Sequence, residues 1–90
     1  MIYRTIIESN SVSDSIDLKI KEIPELSDIY DALKWRISRH ENKIGEKIVG
    51  TDYYIIKSSK ETNLNIPQIR ILYRYEGNNN IIFESNSFVS

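Results

Sequence analysis

The segment Gln68-Ile69-Arg70-Ile71-Leu72-Tyr73-Arg74-Tyr75 constrains this chain more than any other, because its alternation fits an extended strand with two unlike faces. Ile69, Ile71, Tyr73 and Tyr75 fall on one side, and Arg70, Leu72 and Arg74 on the other. One side demands a core and the other carries cations, the pattern of an antiparallel sheet with one open face. Two more β-rich runs flank it, Tyr53 to Ser59 and Ile81 to Asn86. The second is reached through Gly77-Asn78-Asn79-Asn80, residues that accept the positive φ of a hairpin turn. Between Ser58 and Pro67 the composition is that of a long exposed loop.

The amino-terminal half reads differently. Ile2 to Glu8 alternates and is rich in β-branched and aromatic residues, which predicts a strand. Ser11 and Ser13 offer N-cap oxygens for a short helix whose apolar stripe is Val12, Ile16, Ile20 and Ile23. Pro24 stops that helix and suits the first turn of another, about Pro24 to His40. In this second helix Leu26, Ile29, Tyr30, Leu33 and Ile37 cover one face. Glu25, Asp28 and Asp31 crowd its beginning and Lys34, Arg36, Arg39 and His40 its end, as the helix dipole favours. Trp35 lies off the stripe, so it either edges the core or anchors a partner. Glu41 to Gly50 is a polar link into the next strand. The order is β-α-α-β-β-β. Helices followed by strands predict an α+β fold, a helical hairpin packed on one face of a mostly antiparallel four-stranded sheet. At 90 residues, positions 1–90 make one domain.

Composition narrows the function classes. With no cysteine there is no disulfide framework and no thiolate metal site, and one histidine leaves no metal-ligand cluster. Glycine is too sparse for a phosphate loop, so no cofactor is expected. The start of the chain lacks a secretory h-region and no run approaches the roughly 20 apolar residues that span a bilayer, which predicts a cytoplasmic protein with no membrane partner. The net charge of −1 conceals an uneven distribution: residues 1–33 carry three cations against seven acids, and residues 34–74 carry nine against four. The basic middle suits an anionic partner, while the balanced whole is unlike proteins that grip nucleic acid mainly through phosphates.

The order of elements, with the strand Tyr53-Tyr54-Ile55-Ile56-Lys57-Ser58-Ser59 and the strand Ile69-Arg70-Ile71-Leu72-Tyr73-Arg74, resembles the RelE/ParE toxin superfamily of bacterial type II toxin–antitoxin modules. The likeness spans nearly the whole chain and includes the link Asn42 to Gly50; its most specific feature is the Arg-x-x-Tyr of Arg70 to Tyr73. The resemblance implies a small toxin held inactive by a cognate antitoxin, which either cleaves mRNA in the ribosome or acts on DNA gyrase. Lys57 and Arg70 match basic family positions, whereas Tyr53 and Ile55 stand where some RNA-cleaving members carry lysines. The family's last segment, which supplies an arginine and a tyrosine or histidine, has no counterpart in Glu84-Ser85-Asn86-Ser87-Phe88-Val89-Ser90.

Ribonuclease chemistry needs a base for the 2′-hydroxyl, an acid for the leaving oxygen and cations for the developing charge. Arg70 and Lys57 are the candidate catalytic cations and Glu84 the candidate base, while strand parity turns Tyr73, a possible acid, toward the helices. Arg74, Lys60 and Lys47 are candidate phosphate or RNA contacts; the competing account is a solvated face paired with Glu84 or Glu76. Tyr53 and Tyr54 face opposite ways, so at most one is core, and Tyr53 and Trp35 are candidate partner contacts. His40, among Arg36, Arg39 and Lys43, fits a helix C-terminal residue better than an acid or base. The expectation is a toxin-like protein acting through antitoxin and target binding, with its catalytic set incomplete. The alternatives are an active ribosome-dependent mRNA endoribonuclease and a non-toxic adaptor that self-associates, for instance as a homodimer.

Overall fold

The structure, a computed structural model, describes residues 3–40, 42–59 and 65–89. Among them the elements are β1 (Thr5–Glu8), α1 (Asn10–Glu22), α2 (Leu26–Arg39), β2 (Glu46–Lys47), β3 (Tyr53–Lys57), β4 (Gln68–Glu76) and β5 (Asn80–Val89). They build one sheet in the order β1-β5-β4-β3-β2. Neighbours pair antiparallel except β1, which lies parallel to β5. The α+β class and the mostly antiparallel sheet agree with the sequence reading, but the sheet is mixed and has five strands rather than four. The additional strand is β2, taken from the polar link; two residues, Glu46 and Lys47, are too few to show a period.

Local chemistry explains the boundaries. Ser9, rather than Ser11 or Ser13, caps α1: its hydroxyl accepts the Val12 N–H at 3.4 Å and donates to the Glu84 carbonyl at 3.3 Å. The Ile23 N–H closes α1 on the Lys19 carbonyl at 2.8 Å, and the Pro24–Glu25 turn delays α2 to Leu26. No helix is long and apolar enough to cross a membrane among the described residues.

Val12 and Ile16 of α1, and Leu26, Tyr30, Leu33 and Ile37 of α2, bury against Ile56 of β3, Ile69, Ile71 and Tyr73 of β4 and Ile81 and Phe83 of β5. The buried strand positions share one parity, so both helices cover the same face. Each aliphatic side chain so buried contributes about 1.5–3 kcal/mol. The register between β4 and β5 then slips: Leu72 faces Ser85 but Tyr73 faces Phe83, leaving Glu84 as an extra residue in a β-bulge. Past it, Asn86 and Phe88 point to the helices, Asn86 donating to the Ser15 hydroxyl at 3.0 Å and Phe88 packing on the core. Glu84 and Ser85 are thereby both left on the open face.

Candidate functional site

The open face collects five of the residues singled out in the sequence. Register sets Lys57 opposite Arg70 and Tyr53 opposite Arg74, with Leu72 and Ile55 between the two pairs. Lys57 and Arg70 are like charges directly across strands, an arrangement that costs stability unless an anion compensates it. Lys57 has Glu46 at 4.0 Å, whereas Arg70 has Gln68 Oε1 at 3.1 Å and no carboxylate. Arg74 is different. Its guanidinium donates to Glu84 at 2.9 Å and to Glu76 at 3.2 Å, and these bonds raise its pKa.

These contacts take apart the catalytic set. Glu84, the candidate base, is already in an ion pair with Arg74, which lies four positions along β4 from Arg70, roughly 13 Å. An aliphatic row, Ile55 and Leu72, lies in that interval. Tyr73 is fully buried on the helix side, as parity predicts, with its hydroxyl donating to the Ile44 carbonyl. Burial, helped by neighbouring Tyr75 and Tyr54, pushes its pKa far above the ordinary phenol value, so it is a poor proton donor. Lys47 faces away from this side, because Glu46 shares the face of Ile55 and the next residue alternates. Lys60 lies outside the described residues. The three described cations Lys57, Arg70 and Arg74 are balanced by Glu46, Glu76 and Glu84, so the face is not the basic surface that β4 alone suggests.

A second feature lies at the β3 edge. Pairing with β2 stops at Glu46 and Ile55, because Gly45, at φ +98, turns Ile44 inward toward the Tyr73 hydroxyl. The Ser58 N–H bonds Ile69 of β4 at 2.9 Å, so by alternation the backbone groups of Lys57 point outward, away from β4. There they meet a cleft of about 450 Å³ reaching Arg36 and His40 of α2. A neighbouring cleft of about 280 Å³ runs on between α2 and the end of β3, floored by Ile29, Ala32 and Leu33. The two share Arg36.

The third feature surrounds the C-terminal end of α2. Trp35 does not edge the core: it is 60% exposed. Arg39 stacks its guanidinium 4.9 Å from the Trp35 ring centre and 5.1 Å from that of Tyr3, itself 59% exposed. His40 caps the helix with its Nδ1 in contact with Asn42 backbone atoms, and it makes no acid–base pair among the described residues. Tyr54 packs on the core while Tyr53 stays on the open face, as their parity requires. The sequence reading places Ile29 in the apolar stripe without assigning it to a groove, and it misses Ala32 and Tyr3; Ala32 sits three residues after Ile29 beside the stripe, whereas nothing local ties Tyr3 to Trp35. Searches against known protein families, curated proteins and solved structures find nothing that matches this chain.

Proposed function

We propose that this chain is a toxin-like component of a type II toxin–antitoxin pair, similar to the RelE/ParE kind, that works by binding proteins rather than by cutting RNA. The observation that carries this is the Lys57 end of β3, whose outer edge is unpaired among the described residues, beside the groove floored by Ile29, Ala32 and Leu33. An extended segment entering there adds main-chain bonds at Lys57 and buries aliphatic anchors against α2. Arg36, His40 and Lys57 on the rim favour a segment with acidic residues, such as an antitoxin tail. The dispersed candidate acid, base and cations support the same reading against catalysis.

A second reading, an mRNA endoribonuclease, draws on the like-charge pair Lys57 and Arg70, a place for a phosphate. Induced expression in a bacterium, with growth followed and mRNA 5′ ends mapped, separates the two. Binding expects growth arrest without new cuts, unaltered by the double substitution Arg70→Ala/Lys57→Ala. New ribosome-dependent cuts that vanish in that variant overturn it. Co-expression with the product of the adjacent reading frame examines the groove: co-purification should survive Arg70→Ala and fail with Ala32→Arg, which fills the cleft from an exposed helix position.

A further inference from the structure

Cations without a carboxylate partner among the described residues cluster at the end of α2, whereas on the sheet they are scattered, as at Arg70 and Lys47. Arg36, Arg39 and Lys43 have no carboxylate within salt-bridge distance among the described residues, whereas Lys34, Lys57 and Arg74 each have at least one. The helix C-terminus does not consume these cations. Its carbonyls are taken by β1's approach: the Arg4 guanidinium donates to His40 O at 2.6 Å and the Arg4 N–H to Ser38 O at 2.8 Å. Arg36 and Arg39 are therefore free of the capping task that usually explains basic residues there.

Beside them stand two ring faces. Tyr3, Trp35 and Arg39, with Arg36 and His40, line a depression of about 300 Å³. Among the described residues no aliphatic side chain takes part in that lining, so it offers no aliphatic anchor for a peptide residue. Exposed aromatic planes interleaved with guanidinium groups are what successive bases stack on, while the cations track phosphates.

The geometry points to a site for single-stranded nucleic acid at the end of α2, with an unpaired base stacked on Trp35 beside Tyr3 and adjoining phosphates held by Arg36, Arg39 and Lys43. The site adjoins the groove proposed for an antitoxin, sharing Arg36 and His40 with its rim, and is separate from the Lys57–Arg70 pair; Trp35, Tyr3 and Arg39 belong to it and not to the groove, so Trp35 variants test it independently of antitoxin binding. Its small extent, three cations on a chain of net charge −1, suits a short single strand and not a duplex track.

Trp35 is the only tryptophan, so its fluorescence reports the event directly. The full chain is titrated with oligothymidylate of about 12 nucleotides at low and rising salt. Saturable quenching is expected, with a log–log salt slope near −2, as about three phosphates at roughly 0.7 each require. By anisotropy of a labelled strand, Trp35→Ala should weaken binding about tenfold or more and Trp35→Phe far less. Arg36→Gln/Arg39→Gln should flatten the slope, with the urea midpoint confirming that the variants are folded. The inference is overturned by no quenching at low salt, by equal competition from duplex DNA or from polyglutamate, or by binding that depends on Arg70 and Lys57 and survives the Arg36/Arg39 variant.

Discussion

Two tyrosine hydroxyls of this core have opposite fates, and their difference is measurable. The Tyr73 hydroxyl donates to the Ile44 carbonyl, and the positive φ of Gly45 is what brings that carbonyl to it. A Cβ at Gly45 would overlap the same hydroxyl and sit 3.1 Å from the Ile55 carbonyl. Gly45→Ala should therefore cost about 2 kcal/mol or more, combining left-handed backbone strain with the clash. Adding Tyr73→Phe relieves part of the overlap, so the two changes should sum to less than their separate effects in urea-unfolding midpoints. Strict additivity would mean that the residues do not meet. The Tyr30 hydroxyl, by contrast, is buried without a partner at full hydrogen-bond geometry among the described residues; burial above all, then the charge of Glu8 and a poorly aligned hydrogen bond to it, raise its pKa. Because an unsatisfied buried hydroxyl is a cost, Tyr30→Phe should leave stability unchanged or raise it by up to about 1 kcal/mol, where Tyr73→Phe lowers it.

Strand β5 shows how one residue re-aims a whole segment. With Glu84 as the bulge, Ile81 and Phe83 before it and Asn86 and Phe88 after it all reach the helix side. Straightening β5 at constant length would turn Asn86 and Phe88 to the open face, whereas deleting Glu84 removes the extra residue and leaves both on the helix side. The deletion is therefore expected to cost little more than Glu84→Ala, about 1 kcal/mol or less, since both variants lose the ion pair to Arg74 and neither loses the aromatic packing. A melting temperature for the deletion far below that of Glu84→Ala would mean that the bulge does more than set this parity. The same strand marks how far sequence reaches. The parity of Gln68 to Tyr75 is written in the residues, and with it the burial of Tyr73 and the shared face of Lys57 and Arg70. The pairing of Arg74 with Glu84 and Glu76 is one of two accounts the residues offer, and only hairpin register and a bulge that no periodicity announces decide for it. Strand β2 exists because Gly45 steers the chain past β3, and the cap at Ser9 wins because its hydroxyl also reaches Glu84. The spacing of Trp35, Arg36, Arg39 and His40 already put them on adjoining turns, but Tyr3 joins them only when β1 docks at the end of α2.

At the scale of the molecule, these buried phenols make stability depend on alkali in a definite direction. Tyr30 and Tyr73 sit in one core, their rings 6.4 and 6.2 Å from Phe83, and desolvation raises both pKa values above the ordinary 10.0. Tyr75 is raised in the same sense, again first by burial. The folded state thus keeps protons that the unfolded chain releases from about pH 10 upward. The contribution is fully present below that value, and stability falls as pH rises from it toward the folded-state pKa values. Urea midpoints should be level between about pH 8 and 9 and decline steeply by about pH 11, with tyrosinate absorbance rising together with unfolding and not before it. In Tyr30→Phe/Tyr73→Phe the decline should be shallower, since two of the linked protons are gone, even though the variant starts from a different stability. An equally steep decline in that variant would place the alkaline sensitivity elsewhere than in the core that joins the helices to the sheet.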